Sequence, residues 1–321
     1  MAVYTEVSDT DLEAFLGDYD LGRLLAYKGI AEGVENSNFF LHAEAGFFIL
    51  TLYEKRVAAE DLPYFLSLME HLAAHGLTCP QPVKTKNGAM LGRLAGKPAA
   101  IVTFLEGVSS KRPTPGQCAA LGEALAKLHR AGADFSGRRR NALSLDAWPH
   151  LYAQGKSGSE SVQAGLADFI ADELSFLETN WPSDLPRGTI HADLFPDNVL
   201  FLGDSVSGLI DFYFACDDFL AYDLAVCLNA WCFEPDMSFN ITKSMALINA
   251  YENVRRLVPE EIAALPILAR GAALRFALTR LVDWLNVPPG ALVKPKDPLD
   301  YVKRLRFHQR VASAREFGLL R

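Results

Sequence analysis

The sequence predicts an α+β fold of two lobes: a small N-terminal antiparallel sheet with one helix, then a larger, mostly helical C-terminal lobe. Three features predict it. β-prone runs at 39–42, 47–53 and 99–104 crowd into the first 105 residues, separated by Gly- and Asn-containing turns. Apolar residues at helical spacing dominate the rest of the chain, as at Cys118, Leu121, Leu125 and Leu128. One short β-prone interruption, Thr189-Ile190-His191-Ala192-Asp193-Leu194-Phe195-Pro196-Asp197-Asn198, runs on through Val199-Leu200-Phe201 to Leu209-Ile210-Asp211-Phe212. The 321 residues, half of them apolar, suffice for two modest cores or one large one. The boundary is expected after Leu105, giving lobes 1–105 and 106–321.

In chain order, Ser8-Asp9-Thr10-Asp11 is an N-cap with an acid three residues on, and Leu12, Phe15, Leu16 and Tyr19 continue as one helix face. Lys28 to Asn38 is a loop of Gly and small polar residues ahead of a strand pair, the kind of segment whose amides hold phosphate. Ala58 to His75 reads as a helix stopped by Gly76, with Leu62, Phe65, Leu66, Met69 and Leu72 on one face. His71 and His75 stand at i and i+4 on it, without an evident third ligand, and read as a solvated face. Asn87-Gly88 is a hairpin turn, and Ala99 to Phe104 a buried strand. Thr114-Pro115 opens a helix ended by Gly132, with His129 as a core histidine. Arg138 to Arg140 reads as a solvated loop, Ser157 to Ser161 as a Gly/Ser-rich connector, and Val162 to Leu177 as an amphipathic helix. Ile241–Val258, Glu260–Trp284 and Pro298–Phe317 read as helices.

Composition narrows the function. A net charge of −8 disfavours nucleic acid, which demands clustered Lys and Arg. The five cysteines (79, 118, 216, 227, 232) form no Cys-x-x-Cys pair, as expected of a reducing compartment. The N-terminus carries Glu6, Asp9, Asp11 and Glu13 and no apolar core of a signal peptide. No run approaches the ~18 apolar residues of a membrane span. A soluble, cytoplasmic chain is expected, monomer or weak homodimer, with a small molecule rather than nucleic acid or membrane as partner.

The interruption carries the chemistry. Val199–Leu202 and Val206–Ile210 are β-prone runs joined by Gly203-Asp204-Ser205. A turn centred on Asp204 and Ser205 places Asn198 opposite Asp211, with Asp193 just before the hairpin. Phosphoryl transfer with Mg²⁺ needs this set: Asp193 to orient an acceptor hydroxyl and take its proton, Asn198 and Asp211 as hard oxygen ligands to metal.

This His-x-Asp, Asn and Asp-Phe series resembles the catalytic loop of protein kinases, and Ala192, Tyr213 and the triplet Asp223-Leu224-Ala225 make it more similar to the aminoglycoside-phosphotransferase and choline-kinase-like branch. A finer resemblance, to bacterial homoserine kinases of the kinase-like type, lies in residues 28–38, 47–56 and 209–218. The resemblance implies a protein-kinase-like two-lobe fold, ATP and Mg²⁺ as cofactors, and L-homoserine as acceptor. Choline, methylthioribose or an aminoglycoside remain alternative acceptors, as does a nucleotide-binding pseudokinase. It implies phosphate contacts from Gly33, Asn36, Ser37 and Asn38, adenine contacts from the interlobe crossing Phe104-Leu105-Glu106, and His191 and Asp223 as braces of the catalytic loop. Asp223 also suits a helix N-cap. The family's phosphate-binding lysine falls at Thr51; Lys28, Lys55 and Arg56 are candidate substitutes, although Lys55 is about 13 Å further along the strand. Glu60 or Glu70 then takes the place of the lysine's helix partner. For an amino-acid acceptor, Asp217, Asp218 or Glu234 are candidates for its ammonium and Arg23, Arg275 or Arg280 for its carboxylate.

Overall fold

The Ser8 hydroxyl accepts the Asp11 N–H and so starts α1 (Asp9–Leu16), whose Leu12, Phe15 and Leu16 turn inward onto a sheet. The computed structural model describes residues 5–30, 36–54, 57–287 and 295–319. The sheet contains β1 (Leu24–Gly29), β2 (Ser37–Ala43), β3 (Gly46–Leu52), β4 (Gly92–Leu94) and β5 (Lys97–Thr103) in the order β1-β2-β3-β5-β4. Every neighbouring pair is antiparallel. Alternation along β5 divides the interior: Ala99 and Ile101 close a small core with α1, Leu41 and Leu50, whereas Ala100 and Val102 face a larger core. That larger core takes in α2 (Leu62–Ala74) through Phe65, Leu66, Met69 and Leu72. The helix begins later than Ala58 because 59–61 form a 3₁₀ turn before Pro63.

The chain then enters a helical lobe through the short β6 (Val108–Ser109). Thr114 and Gln117 form a capping box at the start of α3 (Pro115–Ala131). There follow α4 (Trp148–Val162), α5 (Leu166–Asn180), β7 (Arg187–Ile190), β8 (Val199–Leu202), β9 (Ser205–Leu209), β10 (Cys216–Phe219) and α6 (Leu220–Trp231). The last helices are α7 (Ile241–Val254), α8 (Pro259–Leu285) and α9 (Leu299–His308). Strand β8 lies between β6 and β9, and β7 pairs with β10, so two small ribbons carry the loops on either side of residues 191–198.

Several stretches differ from expectation: the helix read over 298–317 ends at His308, with a separate 3₁₀ turn at 314–317. Residues 157–161 are no connector but part of α4. A Cβ at Gly155 or Gly158 would come within 3.0 Å of Leu281 or 2.6 Å of Leu285, so these small residues allow α4 to lie close against α8. Nor is the arginine run a solvated loop throughout. Arg139 Nε donates to Asp61 at 2.7 Å, its Nη1 donates to the Ala215 carbonyl, and its guanidinium lies 4.9 Å from the Phe65 ring centre. The loop passes between α2 and β10, where a carboxylate and a carbonyl both accept from the one cation. Helix α8 is long and apolar enough to cross a membrane by length and composition, but it is a core helix, mostly buried. All five cysteines are buried and unbridged, and burial pushes the thiols of Cys79 and Cys118 up to about 12.

Candidate active site

The β8–β9 hairpin turns at Gly203 and Asp204, with Leu202 opposite Ser205, one residue earlier than the spacing suggests. Gly203 adopts φ +62°, which glycine takes without strain, and a bulge after Leu200 then shifts the register. The Ile210 N–H consequently donates to the Asn198 carbonyl at 3.0 Å, and Asp211 lies one residue beyond the expected pairing. Asp211, just past β9, adopts φ +64°, a left-handed conformation that ends the extended run before the 3₁₀ turn 212–214. Asn198 Nδ2 donates to the Asp193 main-chain carbonyl at 2.8 Å and lies 3.4 Å from Asp193 Oδ2. That donation leaves Asn198 Oδ1 directed away from Asp193. An amide oxygen and a carboxylate at the mouth of one hairpin are a hard donor set suited to Mg²⁺.

Residues 191–193 are fixed from behind. The Asp223 carboxylate accepts the backbone N–H groups of His191 and Ala192, each at 2.8 Å, and His129 Nε2 donates to it at 3.1 Å. His129 Nδ1 in turn meets the Tyr251 hydroxyl at 2.8 Å. Asp223 lies inside the first turn of α6, whose N-cap is Phe219, so its side chain serves the loop and not the helix end. Burial works to raise its pKa, but the hydrogen bond and charge of His129, the charge of His191 and the backbone donors outweigh burial and hold it below the usual carboxylate range. Burial pushes the His191 imidazole down, and its Nε2–H donates to the Ile210 carbonyl at 3.0 Å, tying the loop to the strand that carries Asp211. Ala192 stands at φ +64°, and buried Arg275 donates to its carbonyl. Trp231 Nε1 holds the Leu194 carbonyl at 2.8 Å. From the sequence, His129 is a core histidine and Arg275 a candidate for the acceptor's carboxylate; the atoms that they and Trp231 hold lie tens of residues away in the chain.

Across the cleft, Tyr53 and Tyr213 pair through their hydroxyls at 3.0 Å. Burial raises both pKa values, with the Asp211 charge adding to it, and Tyr213 reaches about 12, so both remain protonated beside Asp211. Thr51 faces Asn38 on β2 and donates to its Oδ1 at 2.8 Å. Asn36 Oδ1 accepts the Glu54 N–H and Ser37 donates to the Glu54 carboxylate, so the side chains of Asn36, Ser37 and Asn38 are anchored on β3 and on Glu54 just beyond it. Gly33, Lys55 and Arg56 lie outside the described residues. Lys28 is exposed on β1, Glu60 is exposed, and Glu70 pairs with Lys84. At the crossing, the Phe104 N–H is held by the Phe47 carbonyl and the Glu106 carbonyl by the Ser207 hydroxyl, while Leu105 packs over Gly208.

Most of the charged candidates for the acceptor are engaged elsewhere. Asp217 takes the Arg139 N–H; Asp218 takes Asn141 and Arg187; Glu234 takes Lys243 and Asn240. Arg23 pairs with Glu44 on the exposed sheet edge. Arg275 holds the Ala192 carbonyl, whereas Arg280 lies against Tyr301 of α9, beside the loop of residues 191–198. The two histidines of α2 do meet a third group: Asp134 lies 3.1 Å from His71 Nε2 and 3.5 Å from His75 Nε2. His71 Nε2 also meets the Ala131 carbonyl at 3.0 Å, so it serves as a donor that fastens α2 to the end of α3.

A sequence model of the phosphotransferase enzyme family matches residues 26–257. The homoserine kinase of Beijerinckia indica is 65% identical over 321 residues, covering all of both chains. That of Methylobacterium nodulans is 67% identical over 318 residues, 99% of each. Among solved structures, an amicoumacin kinase in complex with AMP-PNP and Ca²⁺ superposes with a TM-score of 0.71 at 13% identity, over 98% of this chain and 97% of that one. A choline kinase from Cryptosporidium parvum gives 0.68 at 14%, over 98% of each. The two-lobed kinase-like fold expected from the sequence is the fold of this chain.

Proposed function

The chain belongs to the phosphotransferase enzyme family, and from that premise we propose that it transfers the γ-phosphoryl group of ATP to the hydroxyl of L-homoserine, giving O-phospho-L-homoserine on the way to threonine. One observation carries the choice of acceptor: identity of 65–67% to homoserine kinases along the whole chain.

In this reading Asp193 orients the acceptor hydroxyl and receives its proton as the oxygen attacks phosphorus. Its backbone is held by Asn198, and its neighbours by Asp223 and Arg275, so the carboxylate is positioned before substrate arrives. His191, kept neutral by burial, positions the loop and does not take the proton. Asn198 Oδ1 and the Asp211 carboxylate would hold Mg²⁺, which would supply charge neutralisation for the transferred phosphoryl group. The nucleotide would bind against the lobe of residues 1–105, with its adenine edge at the crossing 104–106, as the kinase-like fold supports. The buried thiols suit a cytoplasmic chain, and its expected state is monomer or weak homodimer.

ADP release in the presence of L-homoserine, L-serine, choline, methylthioribose and an aminoglycoside tests the proposal. Turnover should be dominated by L-homoserine. Preference for another alcohol, or ADP release that no acceptor stimulates, would overturn it.

A further inference from the structure

Helix α9 presents Tyr301 to the catalytic loop. Its ring centre lies 6.4 Å from that of Phe195, two residues beyond Asp193, and Phe276 of α8 packs against both, at 4.9 and 5.1 Å. Two guanidinium groups converge on the same ring: Arg280 at 4.4 Å and Arg304 at 4.5 Å from its centre. Burial and the charge of Arg304 both work against the charged form of Arg280, and an anion joining the two groups would relieve this.

The surrounding protein supplies little of that anion. Arg280 has Asp300 at 3.7 Å and the Asp297 carbonyl at 3.3 Å. Arg304 donates to the Asn229 carbonyl at 2.6 Å, and among the described residues no carboxylate lies within ion-pair distance of it. By hydrogen-bond geometry Arg304 Nε and the buried Tyr301 hydroxyl have no partner among the described residues, although the Arg304 side chain lies near enough to the hydroxyl to act on it as a donor. Burial raises the Tyr301 pKa, Arg304 and Arg280 lower it, and Asp193 raises it, so the hydroxyl lies in the fields of both arginines and of Asp193.

We infer that Arg280, Tyr301 and Arg304 form the seat for the acceptor's carboxylate, and so select an amino-acid alcohol over a plain amino alcohol. The inference rests on the reading of the chain as a homoserine phosphotransferase. With the hydroxyl of L-homoserine on Asp193, its carboxylate lies about 5 Å further along the molecule by ordinary bond lengths. A planar carboxylate fits a guanidinium edge with two parallel hydrogen bonds, and the unpaired Nε of Arg304 offers one of them. A phenol donor beside it completes the recognition.

The test is steady-state kinetics of Arg280→Gln and Arg304→Gln with ATP and L-homoserine, alongside L-homoserinamide, in which the carboxylate is neutralised. Each variant should raise KM for L-homoserine roughly 10- to 100-fold, leave KM for ATP within a few-fold, and narrow the wild-type preference for acid over amide. Unchanged KM for L-homoserine in both variants, with wild type active, overturns the seat. An inactive wild type instead removes the parent reading. Should Arg304→Gln fail to fold, Arg304→Lys replaces it. Keeping the charge but losing the fork, it should raise KM for L-homoserine about tenfold, and an unchanged value again overturns the inference.

Discussion

Asp223 accepts the backbone N–H of Ala192 at 2.8 Å through one carboxylate oxygen, while the other oxygen accepts the N–H of His191 at the same distance. Two successive amides of the catalytic loop thus share one buried carboxylate. Between them, Ala192 takes a left-handed conformation that costs a non-glycine residue about 1–2 kcal/mol. The loop stays there because its N–H and C=O are both claimed, by Asp223 and Arg275. Asp223→Asn keeps the shape but loses the charge and one acceptor, leaving a buried N–H facing an amide N–H₂. It should destabilise the fold by about 2–4 kcal/mol in urea unfolding and lower kcat by about 100-fold or more, with KM for ATP little changed. A variant as active and as stable as wild type would show that the loop holds its shape without this brace.

Asp193 stands at the end of that brace with its backbone tied to Asn198. In the proposed reaction its carboxylate serves the acceptor hydroxyl, and the braces of the loop grip backbone atoms that alanine retains. Asp193→Ala should therefore lower kcat by about 10³-fold or more while ATP affinity, read by calorimetry, stays within a few-fold. Near-normal turnover would remove Asp193 from its role.

The contrast between Asp193 and Arg275 shows what one sequence can reveal. Asp193, Asn198 and Asp211 fall within about twenty residues, on a hairpin whose turn residues and β-prone runs are local signals, so their grouping was legible. The pairing in detail was not, because the bulge after Leu200 falls where β8 also pairs with β6, a strand about ninety residues earlier in the chain. Arg275 reaches Ala192 across 83 positions, and His129 reaches Asp223 across 94, so only packing reveals them. The same limit hid the roles of Gly155 and Gly158. A Gly/Ser-rich run reads as a linker until α8 is seen lying against it. On the nucleotide side, amide-rich residues 36–38 looked available for phosphate, and their side chains turn out to be anchored on β3 and Glu54.

Helix packing gives a prediction in which two effects compete. Gly122 lies mid-helix in α3, and alanine there would gain about 1 kcal/mol of helix propensity. Its Cβ, however, would come within 2.1 Å of the Leu247 carbonyl oxygen of α7, a backbone atom that can yield only if the helices part. Overpacking of this kind costs about 1–3 kcal/mol, and the clash with backbone places it at the upper end. Gly122→Ala should thus be destabilising in urea unfolding, by about 1–2 kcal/mol net. A stabilised variant would mean that α3 and α7 separate at little cost.

The last prediction concerns pH and sets two buried histidines against solvent. Burial lowers the pKa of His191, and burial together with Arg304 and Arg270 lowers that of His308 to about 3. In the unfolded chain both return to about 6.5. Above that pH neither state binds the proton and the histidines contribute no pH dependence. Between about 6.5 and the folded values the unfolded chain binds more protons, so stability falls as pH falls. Asp223 works in a different window: its depressed pKa contributes stability that is present above about 3.9 and is lost only as pH falls through the folded value, so it does not bend the curve near neutrality. His308 isolates one proton of the effect. Its Nε2 donates to Asn229 Oδ1 at 3.0 Å, a bond that the amide of His308→Gln can replace without titrating. From pH 6.5 to 5, wild type should lose about 2 kcal/mol more than His308→Gln in urea unfolding, and about 1.4 kcal/mol more for each further unit of falling pH down to the folded value. Parallel curves across that range would mean that His308 takes up its proton in the folded state as readily as in the unfolded one.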